Sequence, residues 1–199
     1  MFFGKRQNDR SVLGLPTSLV MKKKLPRQFT KERGCRFVEF TPNSENVKQA
    51  FERSQKLGVL ENSFTYGAGR MTGFLGEIAF ELLYPKSKYV GGRILSHDYV
   101  LGRKKIDIKA KTCGGKPLLH YTASVNCSKS RPPTADYYYF VRVKKDLSCA
   151  WLLGWISQEK LVELGEYKRR GGEDESGFRY KVSGYHLPIS QLKTPLSLR

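Results

Sequence analysis

The hydrophobic period of the chain changes near residue 88, and this change limits the folds that the sequence can adopt. Before it, residues 41–57 (TPNSENVKQAFERSQKL) and residues 71–85 (MTGFLGEIAFELLYP) place apolar side chains at helical spacing. After it, apolar and polar residues alternate in short segments separated by turn residues, which is typical of β-strands. Helices followed by a run of strands favour a mixed domain of the α/β or α+β class.

The two helical segments also carry end signals. Asn43 or Ser44 is expected to cap the first helix, and Pro85 stops the second. The residues expected to share one face of the first helix are Val47, Ala50, Phe51 and Ser54.

Strands are predicted over most of the remaining chain, with one short helix at residues 157–167 capped by Ser157. Trp151 and Trp155 are four residues apart in one of these segments, so they are expected to share a face of the sheet. The predicted strands cover residues 88–94, 98–102, 104–112, 119–126, 135–144, 149–156 and 179–189.

The charge of the chain indicates a polyanionic partner. There are 36 Lys and Arg residues against 18 Asp and Glu residues, a formal charge of +18. Such a field attracts nucleic acid first and an anionic membrane less well. The sequence has no lipidation motif, no basic amphipathic helix and no apolar run long enough to span a bilayer, and its first residues do not form a signal peptide. We therefore expect an intracellular, cytoplasmic protein with no membrane partner.

The chain divides at about residue 36. Residues 1–36 are basic, contain Pro16 and Pro26 and have few periodic apolar residues, which indicates an extended arm. This arm is either a solvated terminus or a segment that binds phosphates. The two alternatives are compatible, because a loose arm can become ordered when it binds DNA. Residues 37–199 are expected to form a single domain.

Residues 97–111 (HDYVLGRKKIDIKAK) contain charged side chains that are candidates for a catalytic role. Residues two apart in a strand share a face, so Asp107 and Lys109 project together and Ile106 and Ile108 point into the core. A turn at residues 102–103 would fold this stretch into a hairpin and bring Asp98 beside Asp107.

Two adjacent carboxylates repel each other unless a cation joins them. Mg²⁺ favours one or two carboxylates, with waters and substrate phosphate as the remaining ligands. A neighbouring lysine orients a water or neutralises charge on a phosphate oxygen, so the group suits phosphodiester hydrolysis. An exposed Asp–Lys ion pair without catalytic meaning is the plain alternative.

Asp98 followed by Asp107-Ile108-Lys109 resembles the active-site signature of the PD-(D/E)xK nuclease superfamily, and the resemblance extends over residues 43–192. It departs from the family pattern because His97 replaces the proline and the second acid is aspartate. The resemblance implies a restriction-endonuclease-like core, a central mixed β-sheet flanked by helices, and so a single nuclease-like domain over residues 37–199.

The resemblance also implies roles for individual residues. Asp98, Asp107 and the carbonyl of Ile108 would bind Mg²⁺, with Mn²⁺ as a substitute, and Lys109 would position the attacking water. Glu77 would complete the site from the preceding helix through a second metal or a water. Glu81, one helical turn later, is the alternative to Glu77.

These observations lead to three hypotheses about function. The first is a metal-dependent DNA endonuclease of site-specific (homing or restriction-like) or structure-specific (junction-resolving) type, working as a homodimer or higher homo-oligomer because two cuts need two sites. The others are a non-catalytic basic protein that binds DNA or RNA, and a small RNA-binding protein of ribosomal type. The basic residues expected to contact nucleic acid are Arg103, Lys104, Lys105, Lys111, Lys129 and Arg131.

Overall fold

The computed structural model describes residues 25–56, 68–91, 96–128, 130 and 132–198. Within these ranges no helix is long and apolar enough to cross a membrane. The helices are α1 (Ser44–Lys56), α2 (Ala68–Leu83) and α3 (Gln158–Leu164), followed by a 3₁₀ turn at Ile189–Gln191. The strands are β1 (Phe29–Thr30), β2 (Val38–Phe40), β3 (Lys88–Tyr89), β4 (Tyr99–Leu101), β5 (Lys104–Cys113), β6 (Thr122–Asn126), β7 (Tyr137–Lys144), β8 (Ala150–Ser157), β9 (Glu166–Lys168) and β10 (Gly184–Pro188).

The strands form one large mixed sheet and one small sheet. The large sheet has the order β1-β2-β8-β7-β5-β4-β3, and the small antiparallel sheet has the order β6-β10-β9. In the large sheet β5 and β7 run parallel, and the other neighbours pair antiparallel. The predicted mixed α and β class with a mixed central sheet is therefore confirmed at this level.

Two hydrophobic clusters cover the two faces of the large sheet. The first contains apolar residues of α1, α2 and the facing side of the sheet. The second lies between the opposite side, the small sheet and α3. Helix α2 approaches β5 closely because residue 76 is glycine: a Cβ there would lie 2.7 Å from the Cβ of Ala110.

Helix α1 begins as predicted, but the residues predicted to share a face are not all buried. The side chain of Asn43 accepts a hydrogen bond from the backbone N–H of Asn46 (2.9 Å), and the Asn46 side chain accepts one from the N–H of Asn43 (3.1 Å). This reciprocal pair satisfies two amides at the helix start. Of the four residues predicted to share a face, Ala50 and Ser54 are buried, whereas Phe51 is 54% exposed; Asn46 is the third buried residue of the helix.

Each of the seven predicted strands overlaps a strand of the structure, although several observed strands are shorter than predicted. The short strands β1, β2 and β9 were not predicted. Strand β1 lies within the segment predicted as the basic arm, and Phe29 is buried in the first cluster. Residues 25–36 thus belong to the fold, whereas residues 1–24 lie outside the described residues.

A β-bulge separates the two tryptophans of β8. Phe140 pairs with Gly154 and Val141 pairs with Leu152, so Leu153 has no partner and the alternation of faces shifts by one residue. Trp151 consequently belongs to the second cluster and Trp155 to the first. The prediction that they share a face was wrong, because it assumed unbroken alternation.

Candidate active site

The β4–β5 hairpin brings Asp98 and Asp107 together. Residues 102–103 form its two-residue turn, with a φ of 63° at Gly102, a conformation that glycine adopts without strain. Tyr99 pairs with Ile106, so the preceding Asp98 lies next to Asp107. The predicted hairpin is confirmed.

Two hydrogen bonds to β5 hold Asp98 in this register. Its backbone N–H donates to the carbonyl of Ile106 (3.0 Å), and its carboxylate accepts from the N–H of Ile108 (2.8 Å). The N–H and C=O of one strand residue point to the same edge, so the carbonyl of Ile108 is also directed to the side where Asp98 lies. Oxygen ligands from Asp98 and Ile108 are thus available at one edge of β5.

The predicted division of β5 into two faces is confirmed. Ile106 and Ile108 are buried in the first cluster, whereas Asp107 and Lys109 lie on the other side of the strand. The ammonium of Lys109 is 2.6 Å from a carboxylate oxygen of Asp107, and both side chains remain partly exposed. Lys109 is therefore held beside the acid and is still accessible to solvent.

Glu77 is the helix acid that approaches this pair. One of its carboxylate oxygens, Oε2, is buried and has no hydrogen-bond partner. Burial, and then the negative charge of Asp98, raise the pKa of Glu77 to about 8; Asp107 adds to the rise and Arg53 opposes it. Glu77 is thus near enough to Asp98 and Asp107 for their negative charges to affect its pKa.

Glu81, the alternative helix acid, has its own partners. Its carboxylate accepts from the guanidinium of Arg53 (2.9 Å) and from the hydroxyl of Tyr99 (3.1 Å). Glu77, with its unpartnered oxygen, is therefore the better candidate to complete the site.

Asp98 is perturbed for similar reasons. Burial raises its pKa to about 7, and the charge of Asp107 adds to this rise. The hydrogen bond from Ile108 and the positive charge of Lys109 act in the opposite direction. The pKa values of Asp98 and Glu77 are thus raised by the same two causes, burial and the negative charge of neighbouring acids.

The donor set is compatible with a hard divalent cation, with one restriction. Carboxylates and a backbone carbonyl offer only oxygen, which Mg²⁺ prefers. As the side chains stand, no three His, Cys, Asp or Glu residues in the described ranges form a group that could hold a metal ion. Asp98 and Asp107 with the Ile108 carbonyl match the one or two carboxylates that Mg²⁺ uses when waters and substrate phosphate fill its shell.

No model of a known protein family matches the chain, and no curated protein matches it. The resemblance to PD-(D/E)xK nucleases therefore stays a prediction that rests on the site residues themselves.

The predicted nucleic-acid contacts fall into three groups. Lys111 lies on the same face as Lys109, two residues further along β5. Arg103, Lys104 and Lys105 lie at the hairpin turn and the start of β5, at the opposite end of the strand. The remaining two predicted contacts, Lys129 and Arg131, lie outside the described residues.

Sequence reasoning missed Arg53. This residue of α1 binds Glu81, and its guanidinium carbon lies 5.0 Å from the ring centroid of Tyr89. It is also the cation that lowers the pKa of Glu77. No local pattern indicates this role, because Arg53 is 28 residues from Glu81 in the chain.

Proposed function

We propose that the chain is a metal-dependent DNA endonuclease that hydrolyses phosphodiester bonds. The observation that carries the proposal is that the β4–β5 hairpin places Asp98 beside Asp107 and its ion-pair partner Lys109, while Glu77 of α2 keeps an unpartnered oxygen and is close enough for both aspartates to raise its pKa. Perturbed acids next to a lysine are typical of sites that handle a cation and a proton. The charge of +18 favours a polyanionic substrate.

Each residue then has a defined task. Asp98, Asp107 and the carbonyl of Ile108 would hold Mg²⁺ or Mn²⁺, and Glu77 would act through a second metal or a water. Bound there, the metal would polarise the phosphate and lower the pKa of a coordinated water. Lys109, oriented by Asp107, would position the attacking water or neutralise charge on a phosphate oxygen.

The preference for DNA and for a restriction-endonuclease-like core comes from the sequence resemblance. Cuts in both strands, or paired cuts at a junction, need two active sites, so we propose a homodimer or higher homo-oligomer. Site-specific and structure-specific cutters remain the two forms of this proposal.

A second candidate is a basic protein that binds nucleic acid without cutting it. The close Asp107–Lys109 ion pair favours it, because such a pair stabilises a strand face without any chemistry. This second candidate does not explain why Glu77 has a buried carboxylate oxygen without a partner. Such a group costs stability, so a protein that only binds nucleic acid has no use for it.

A cleavage assay separates the two candidates. Supercoiled plasmid, linear duplex and a four-way junction are incubated with wild type or Asp107→Ala, in Mg²⁺ or in EDTA. We expect metal-dependent cutting by wild type only, with the preferred substrate choosing between the two forms of endonuclease. Tight, salt-sensitive binding with no cutting, including on a randomised-site library, would support the binding protein.

The basic arm gives a separate prediction about binding. Residues 1–24 contain Lys5, Arg6, Arg10, Lys22, Lys23 and Lys24, and the deletion stops there because Phe29 is part of the core. We expect the deletion to weaken DNA binding and to flatten its salt dependence, by about 0.9 in the log–log slope for each phosphate that the arm neutralises. A full-length control with these six residues changed to Gln should behave alike. An unchanged slope would mean that the arm contacts no phosphate.

A further inference from the structure

Four polar side chains meet between the two sheets, beyond the candidate active site. Lys111 of β5 and Arg142 of β7 are direct neighbours in the large sheet. Ser124 of β6 and His186 of β10 are direct neighbours in the small sheet. The ammonium of Lys111 donates to the hydroxyl of Ser124, which joins the two pairs. We call these four residues the Lys111 cluster.

The Lys111 cluster is rich in positive charge that has no counter-charge. Within the described ranges, no carboxylate lies at salt-bridge distance from Lys111 or Arg142. Arg142 instead donates to the backbone carbonyl of Thr122 (2.7 Å). The nearest acid on the small sheet, Glu166, is paired with Lys168. Partly buried cations without an anion are costly, so the cluster is suited to a negative ligand.

The electrostatics of the Lys111 cluster agree with this description. Lys111 is exposed as a whole residue, but its ammonium is partly buried at Ser124, and desolvation together with the charge of Arg142 lowers its pKa to about 8. Desolvation lowers the pKa of Arg142. Desolvation also lowers the pKa of His186, and the positive charges of Lys111 and Lys168 lower it further. The negative charge of Glu166 acts in the opposite direction on His186.

The Lys111 cluster is continuous with the active-site face of β5. A small cavity of about 10 Å³, room for one water-sized group, is lined by Lys109, Lys111, Ser124 and Arg142 together with apolar residues. Lys109 also contacts Asp107, so one row of side chains leads from the acid pair to the cluster. Successive members of this row are about 7 Å apart along the strand.

We propose that the Lys111 cluster binds a backbone phosphate of the same DNA strand that is cleaved in the active site containing Asp107. The strand would then lie along β5, with one phosphate at Lys109 and a neighbouring phosphate at Lys111 and Arg142. This proposal rests on the proposed endonuclease function and adds the path of the substrate. Its alternative is that the four residues only join the two sheets.

The test measures DNA binding without cleavage. Binding of a fluorescent duplex and a fluorescent four-way junction is followed by anisotropy in EDTA across a series of KCl concentrations. Lys111→Gln keeps a hydrogen-bonding side chain but removes the charge. We expect about tenfold weaker binding and a log–log salt slope lower by about one. Lys111→Arg keeps the charge and should keep the wild-type slope.

Lys48→Gln is the matched control. Lys48 is exposed on α1, which covers the opposite face of the large sheet, and its substitution removes the same charge from the chain. We expect its salt slope to equal that of wild type. Arg142→Gln is the second test variant, and thermal unfolding of every variant shows that its fold is intact.

The outcomes separate the two proposals. If Lys111→Gln and Arg142→Gln keep the wild-type slope, the phosphate site is wrong, whether or not the protein cuts DNA. If wild type never cuts but Lys111→Gln lowers the slope and Lys48→Gln does not, the phosphate contact stands and the endonuclease function fails. An equal effect of Lys48→Gln would also overturn the proposal, because general attraction would then explain the weaker binding. Binding of RNA but not DNA would overturn the assignment of the strand.

Discussion

Asp107→Ala and Lys109→Ala are each expected to abolish measurable cleavage while DNA binding in EDTA is largely retained, weaker by no more than about tenfold. Asp107 is a proposed metal ligand and also holds the Lys109 ammonium at 2.6 Å, so its substitution removes two features of the site together. Removing the Lys109 charge alone should lower the rate by about 10²- to 10⁴-fold, the usual contribution of a positioned proton-transfer or charge-stabilising group.

The two helix acids provide the matched control for this prediction. We expect Glu77→Gln to lower cleavage strongly, because Glu77 is the helix acid with an unpartnered oxygen and with a pKa that Asp98 and Asp107 raise. Glu81→Gln should retain cleavage within a few-fold, since an amide oxygen still accepts from Arg53 and Tyr99. Single-turnover rates on the preferred substrate, with saturating enzyme, measure the chemical step without a contribution from binding.

Two results would contradict the site as described. Wild-type rates for either Asp107→Ala or Lys109→Ala would place catalysis elsewhere in the chain. A strong decrease in Glu81→Gln with no decrease in Glu77→Gln would reverse the assignment of the helix acid and make the Arg53 contact part of the active arrangement.

Local signals in the sequence were sufficient to predict the positions of Asp98, Asp107 and Lys109 relative to one another. The alternation of residues 106–109 set the two faces of β5, and the turn at residues 102–103 set the register that pairs Asp98 with Asp107. Both depend on residues within a span of about ten positions. The caps at Asn43 and Ser157 were predictable for the same reason, since each contact reaches only three residues along the chain.

The parts that depend on long-range packing were not predictable from these patterns. The choice between Glu77 and Glu81 follows from Arg53 and Tyr99, which lie 28 and 18 residues away from Glu81 in the chain and donate to its carboxylate. The bulge at Leu153 places Trp151 and Trp155 in different clusters, and the sequence of apolar residues in β8 does not indicate it. Strands β1 and β2 are two and three residues long, too short for a period to be recognised, and the arm was therefore predicted to extend beyond Phe29.

Asp98→Asn is expected to make the metal-free protein more stable than wild type at pH 8.5, and the difference should vanish near pH 4. The folded state raises the pKa of Asp98 from 3.8 to about 7. Between these values the unfolded chain has released the proton and the folded chain still binds it, so stability is lost as pH rises through this window. The decrease is on the order of 4 kcal/mol above pH 7. The amide does not ionise, so the variant avoids this decrease.

Thermal unfolding in EDTA at several pH values between 4 and 8.5 measures the effect. The melting temperature of Asp98→Asn should exceed that of wild type by roughly 10 °C at pH 8.5, given about 2–4 °C per kcal/mol for a chain of this size. Asp146→Asn is the control, because Lys144 and Ser148 lower the pKa of that exposed carboxyl, so its substitution should bring no gain at high pH. Millimolar Mg²⁺ should then stabilise wild type and not Asp98→Asn, since only the carboxylate offers the charge that a divalent cation joins. A variant-minus-wild-type difference that stays constant with pH would mean that Asp98 ionises normally, and the electrostatic argument for a cation at this site would fail with it.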